Sequence, residues 1–233
     1  MWGAGSTAAS RAALDTADIA LARAVGLTSD DLADSVRTFR LFAWGERAVL
    51  AWRSGGADGA TATWGLLPDN ARLLPELEEL GENLLRACPE RGLLITAGDA
   101  DTYAASYLRF VRGLRPDITV LPLDYWPAAE VERRLRAAGE RQPVCASMAF
   151  ERPPPKGIKW QARPLVWVGG KVKGTRGVPP EDFVFAALRI ALDDSSAWAA
   201  PALTTYRRSV KHIPALCKSL KTFGIAKEVG CKG

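Results

Sequence analysis

The chain has 233 residues, 48% hydrophobic and 24% charged, a balance that suits an ordinary soluble globular protein with a sizeable core. Its longest apolar run, Phe183 to Leu192, is interrupted by Arg189 and is too short to cross a bilayer, so no transmembrane segment is expected. The net charge of +5 is polarised: from Arg207 onward seven Lys or Arg face Glu228 alone, leaving −1 for everything before, so no nucleic acid is expected on the body.

Met1 to Ser10 hold no basic stretch followed by an apolar core, so no signal peptide is expected. Ser6 to Val25 is rich in Ala, Leu and Ile, and Gly26 is placed to end a helix. Thr28-Ser29-Asp30-Asp31 starts a second helix with Leu32, Val36 and Phe39 on one side, and the two are expected to pack as a hairpin. Next, RAVLAWR and TATWGLL flank SGGADGA, which reads either as a β-hairpin or as a helix continued through Trp44 and Trp52. Trp44, Trp52 and Trp64 also carry two readings, a stacking platform for sugars or bases and the commoner core or interface packing.

Asn70 to Ala87, with Leu73, Leu77, Leu80 and Leu84, is an amphipathic helix with early acids and a late Arg86. It leads into Arg91 to Asp124, around which the chain is organised. Leu93 to Thr96 is a short apolar run suited to a buried strand. Asp101 or Thr102 caps the following helix, whose Tyr103, Tyr107, Phe110 and Leu114 form one apolar face. Arg115-Pro116-Asp117 breaks it, and Ile118 to Leu123 is β-branched and apolar enough for a second strand, parallel to the first. Pro127 starts a charged helix through Ala138, Val144 to Met148 is a third strand, and Leu165 to Val168 a fourth, after the Pro-rich connector Glu151 to Lys159. Pro179 starts a helix through Leu192 with Phe183, Ala187 and Ile190 on the same side, and Pro201 to Tyr206 returns as a last strand. The expected fold is α/β: an open, Rossmann-like, mostly parallel sheet flanked by helices over 70–206. A helical extension with or without a β-hairpin precedes it over 1–69, and a basic amphipathic tail follows over 207–233.

Cys88, Cys145, Cys217 and Cys231 lie 57, 72 and 14 positions apart, with neither zinc-knuckle nor redox-motif spacing. Buried free thiols are the expected state, and a disulfide stays open.

Two blocks carry a family resemblance. GDADTY followed by YLRFVRGLRPDITVLPLD resembles a GDNDTF…YLQ…EGVRPDV…VNLS signature, and EDFVFAALRIALDDSSAWAAPAL is similar to QDLMVLDIIRTNNWKRPIYF, with the Trp198-x-x-Pro201 spacing kept. Both belong to the soluble, extracytoplasmic part of a bacterial family of polytopic membrane proteins of unknown function, grouped with protein O-mannosyltransferase-like proteins. The similarity spans roughly Leu73 to Thr205. Ala100 stands where that family has Asn, and Ala199-Ala200 where it has Lys-Arg. The resemblance implies a module that in relatives sits on a membrane enzyme, on the periplasmic face. It does not imply transferase activity.

Asp99 and Asp101 follow the first strand and Asp124 the second, at the end of a parallel sheet where ligands bind. With Thr102 they form the candidate ligand site. Three converging carboxylates suit Mg²⁺ or Mn²⁺ presenting a sugar or phosphate substrate, which is the competing, enzymatic reading. The simpler reading has Asp99 shaping the turn and Asp101 with Thr102 capping the helix. His212 is the sole histidine, which removes Ser-His-Asp, Cys-His and His-rich metal sites from the body, and neither GxGxxG after the first strand nor GxxxxGK[ST] occurs. No cofactor or resident metal is expected.

Val210, Ile213, Leu216, Leu220 and Phe223 alternate with Lys in a segment that Pro214 and Gly224 limit to about two turns. Such a segment either lies on an anionic membrane or an acidic partner, through Arg207, Arg208, Lys211, Lys218 and Lys221, or packs on its own domain. The preferred reading is a non-catalytic interaction or scaffold module, an accessory subunit peripheral to a membrane.

Overall fold

A computed structural model describes residues 4–122, 128–153, 157–172, 174 and 177–232. They form two compact units, 4–74 with 110–112 and 75–109 with 113–232.

In the first unit α1 (Ala4–Val25) packs along α2 (Asp30–Trp64). SGGADGA does reverse the chain, but between helices rather than strands. Gly56 alone leaves helical geometry, at φ 62° and ψ −151°, and beyond it a Cβ on Gly59 would lie 2.7 Å from the Ala51 carbonyl oxygen. Eight residues of straight helix would separate those two by about 12 Å, so the helix folds back. The β-hairpin reading is corrected because Ala48, Val49, Ala60 and Trp64 bury at helical rather than alternating spacing. Leu32 and Phe39, expected on the buried side with Val36, are instead 54% and 50% exposed, while Ala33, Val36, Leu41 and Ala43 face inward.

The Asp18 carboxylate joins the two helices, accepting hydrogen bonds from Arg40 Nε at 2.6 Å and Trp44 Nε1 at 3.1 Å. Burial pushes its pKa up, but those bonds and the charges of Arg40 and Arg47 outweigh it and hold the carboxyl below its ordinary value. The Arg47 guanidinium lies 4.4 Å from the Trp44 ring centroid. Trp44 and Trp64 are thus spent on packing, with Trp64 buried.

The second unit is a mixed α/β layer around one open five-stranded sheet in the order β2-β1-β3-β5-β4. Its strands are β1 (Leu93–Thr96), β2 (Thr119–Pro122), β3 (Pro143–Ser147), β4 (Gln161–Arg163) and β5 (Val166–Gly170). β1 is parallel to β2, with Leu93 opposite Thr119, and to β3, with Leu94 opposite Cys145. β5 runs antiparallel to both β3 and β4. The sheet is therefore parallel at its centre and antiparallel on one side. β1 and β3 are buried along their whole length, as continuous apolar strands between helical layers must be.

α3 (Pro75–Ala87) begins at Pro75, later than Asn70, because proline suits a first turn whose amide needs no partner. Leu77, Leu80 and Leu84 are fully covered. Gly81 lets α3 approach α4 (Asp99–Phe110), and a Cβ there would sit 2.8 Å from the Ala104 carbonyl carbon. Gly81→Ala should therefore destabilise the protein by about 1–3 kcal/mol, despite alanine's better helix propensity. A urea midpoint equal to or above wild type would show that the helices separate freely.

Two expected elements differ. The helix expected from Pro179 to Leu192 is a 3₁₀ turn (Pro180–Asp182), an extended Phe183, and then α6 (Ala186–Asp193), which follows α5 (Ala128–Gly139) in the chain. The Glu79 carboxylate accepts hydrogen bonds from the Ala187 and Leu188 amides at 2.8 and 3.0 Å, restarting the helix there and leaving Ile190 62% exposed. The last strand expected at Pro201 to Tyr206 is part of α7 (Ala199–His212). Pro201 falls in its first turn, where no amide is needed, and Leu203, Tyr206 and Val210 bury at steps of three and four.

All four cysteines are paired, Cys88 with Cys145 and Cys217 with Cys231, which corrects the expectation of free thiols. The first bridge ties the end of α3 to β3 inside the core, and both its residues are buried. The second ties α8 (Leu216–Thr222) to the C-terminal loop and is partly exposed.

Candidate functional site

The chain leaves β1 for β2 on one side and returns to β3 on the other, so the sheet reverses its direction of winding between β1 and β3. In open α/β sheets the crevice beyond the strand ends at such a point is the usual ligand position. Thr96 ends β1 there and Ser147 ends β3. α4 begins at Asp99, so Asp101 and Thr102 lie inside its first turn and not at its cap. Thr102 Oγ1 donates to Thr96 Oγ1 at 2.9 Å. Ser147 Oγ donates to Asp101 Oδ2 and accepts the Ala149 amide at 3.0 Å. Asp101 is 2% exposed and Ser147 fully covered. Burial, set against the Ser147 hydrogen bond and the Arg208 charge, pushes the Asp101 carboxyl up to about 7.

The predicted carboxylates do not act together. Asp99 is exposed while Asp101 turns inward, and Asp124 lies outside the described residues. Among the described residues no three His, Cys, Asp or Glu side chains are grouped to hold a metal ion. Thr102 with Thr96 and Asp101 with Ser147 form two buried hydrogen-bonded pairs, each tying α4 to the sheet. Ser147, 46 residues from its partner, carried no signal in the sequence beyond ending an apolar strand.

Arg115-Pro116-Asp117, part of the segment that carries the family resemblance, acts as a clip. Arg115 donates from Nη1 to the Leu85 and Cys88 carbonyls at 2.9 and 3.1 Å, and holds Asp117 through two further bonds of 2.9 Å. Asp117 in turn accepts the Arg91 amide at 2.8 Å. Arg115 and that amide keep the Asp117 carboxyl well below the usual range. The motif secures the ends of α3 and the entry to β1 and offers no reactive group.

Asn83 plays a similar part for the segment before α6. Its Nδ2 donates to the Val184 carbonyl at 2.6 Å and to the buried Tyr206 hydroxyl at 3.2 Å. Tyr206 and Phe223 each meet Phe185 edge-on, at 5.0 and 5.7 Å between ring centroids. Ser219 Oγ donates to the Pro180 carbonyl at 2.7 Å. Leu216, Leu220, Ile225 and Val229 are buried, so the C-terminal segment packs on the α/β unit that precedes it.

That packing shapes a cavity of about 1080 Å³ between α7, α8 and the C-terminal loop. Among the described residues, Arg207, Lys211, Lys218, Lys221, Lys227 and Lys232 line it with a single carboxylate side chain, Glu228. Four of the five predicted contact residues meet here. Arg208 does not, and its charge acts on Asp101 instead. The Cys217–Cys231 bridge lines the same cavity, and Arg207 Nε donates to the Glu228 backbone carbonyl at 2.7 Å, fixing the loop. Among the described residues these lysines form no ion pairs, so their charge is open to a partner.

No known family, curated protein or solved structure matches the chain. Two sites thus stand on their own chemistry. The Asp101–Ser147 pair is buried. The basic cavity is open, and its charge is unbalanced.

Proposed function

We propose that this chain is a non-catalytic interaction module, an accessory subunit of a membrane-associated complex, which meets its partner through the basic face of α7, α8 and the C-terminal loop. The carrying observation is the concave cluster of unpaired lysines around Glu228, held in place by a disulfide. The closed Asp101–Ser147 pair supports the absence of a catalytic role, since neither group is accessible to a substrate. The two disulfides suit an oxidising compartment outside the cytoplasm, which is where the resembled family carries its soluble part. No helix among the described residues is long and apolar enough to cross a membrane.

Purification from the native source in mild detergent should recover the chain with a partner. Lys211→Glu, Lys218→Glu and Lys221→Glu together should release that partner without lowering the thermal midpoint, because all three side chains are exposed. A wild-type chain that migrates alone would sink the reading.

A further inference from the structure

We propose that the Cys217–Cys231 bridge is a site of thiol–disulfide exchange, opened in the folded protein by a negatively charged thiol. The proposal goes beyond the interaction reading and does not rest on it. The two bridges differ in what can reach them. Cys88 and Cys145 are 1% and 0% exposed between the end of α3 and β3, so a reagent meets them only when the core opens. Cys217 and Cys231 are half-buried and line the open cavity between α7, α8 and the C-terminal loop. A disulfide sulfur in that position is an electrophile, and the reagent it calls for is a thiolate.

Two further features favour the reaction there. The loop has anchors that do not depend on the bridge, since Ile225 and Val229 are buried and Arg207 Nε donates to the Glu228 backbone carbonyl. Exchange is therefore a modification of the folded chain and not a step in its unfolding. Charge acts on both ends of the reaction. Arg207, Lys211, Lys218, Lys221, Lys227 and Lys232 line the same cavity. They raise the local concentration of an anionic thiol, and they stabilise the thiolate that departs, which speeds exchange. The attacking sulfur bonds to one protein sulfur, the Cys217–Cys231 bond breaks, and its electron pair leaves on the other sulfur, which takes a proton from water. A second thiolate then attacks the reagent's sulfur in the mixed disulfide and releases the first protein sulfur. Two reagent thiols are oxidised to their disulfide, and one protein bridge is reduced to two thiols.

The test uses the whole folded chain, with 2-mercaptoethanesulfonate as the anionic thiol and 2-mercaptoethanol as its neutral counterpart, each rate expressed per thiolate. Alkylation followed by peptide mass spectrometry reads which cysteines have opened. Cys217 and Cys231 should be trapped roughly a hundredfold faster than Cys88 and Cys145. The trapped protein should keep the circular dichroism of the wild type. At low ionic strength the anionic thiol should open the bridge about fivefold faster than the neutral one, and about 0.5 M sodium chloride should bring the two rates together. Lys218→Gln with Lys221→Gln should roughly halve the low-salt ratio without lowering the thermal midpoint, because both side chains are exposed. Four results would overturn the proposal: both bridges opening at one rate, equal rates for the two thiols at low salt, an unchanged ratio in the lysine variant, or loss of the folded signal as Cys217 and Cys231 are trapped. A partner recovered from the native source would survive all four, so failure here is separable from failure of the subunit reading.

Discussion

A protein carrying Cys88→Ala and Cys145→Ala together should unfold with about 4 kcal/mol less free energy than wild type. That is the chain-entropy value for closing a loop of this length, the two residues being 57 apart. Position adds to length, because the bridge fastens the α3 end to β3, and β3 pairs with β1 at the centre of the sheet. The midpoint of urea unfolding under non-reducing conditions reads the effect. Cys217→Ala with Cys231→Ala closes a shorter loop of 14 residues at the chain's end and should cost less. If the core pair loses under about 1 kcal/mol, the unfolded chain is already compact there and the loop-closure account fails.

Asp101→Asn should change how stability depends on pH. The folded carboxyl is pushed up to about 7 from an ordinary 3.8. A raised folded value means that the native state holds a proton the unfolded chain has released. The stabilisation is whole below about pH 4 and is lost as pH rises through about 7. The full swing is at most about 4 kcal/mol. Wild type minus Asp101→Asn, measured by urea unfolding at pH 4.5, 6 and 8, should therefore fall steadily with pH, with the variant the more stable at pH 8. Asp117, whose depressed carboxyl adds stability as pH rises only up to about 4, is the same in both proteins and drops out of the difference. Ser147 and Arg208, which favour the ionised form, are unchanged in both proteins. A flat difference would mean that water reaches Asp101 and that the pair is not buried.

The parts of the fold legible in the sequence were those set by local contrast. Leu93 to Thr96 is bounded by Gly92 and Gly98, Arg115-Pro116-Asp117 interrupts a helical stripe, and the parallel pairing of β1 with β2 followed from the helix between them. Pro201 misled because a proline followed by Thr204, Thr205 and Tyr206 has strand-like composition, while the deciding stripe of Leu203, Tyr206 and Val210 extends beyond it. SGGADGA was legible as a reversal, but whether strands or helices flank it depended on which residues the neighbouring α1 would cover. The disulfides and the Asp101–Ser147 contact join residues far apart in sequence and have no local signature. The basic cavity was half visible: the cations could be counted, but their concave arrangement around Glu228 needs the loop that Cys231 returns to α8.

The two rims of the sheet bear on how this chain can associate with others. β2 and β4 are the outermost strands, only four and three residues long, and one ends in Pro122, which has no amide hydrogen to offer. Short rims interrupted by proline or carrying charge, as Arg163 does on β4, give an incoming strand too few backbone groups to extend the ladder. Recruitment of a neighbour by strand addition, and the fibril growth that an unguarded rim invites, are therefore both disfavoured. Contacts of the α/β unit are left to side-chain surfaces, where single substitutions can tune them.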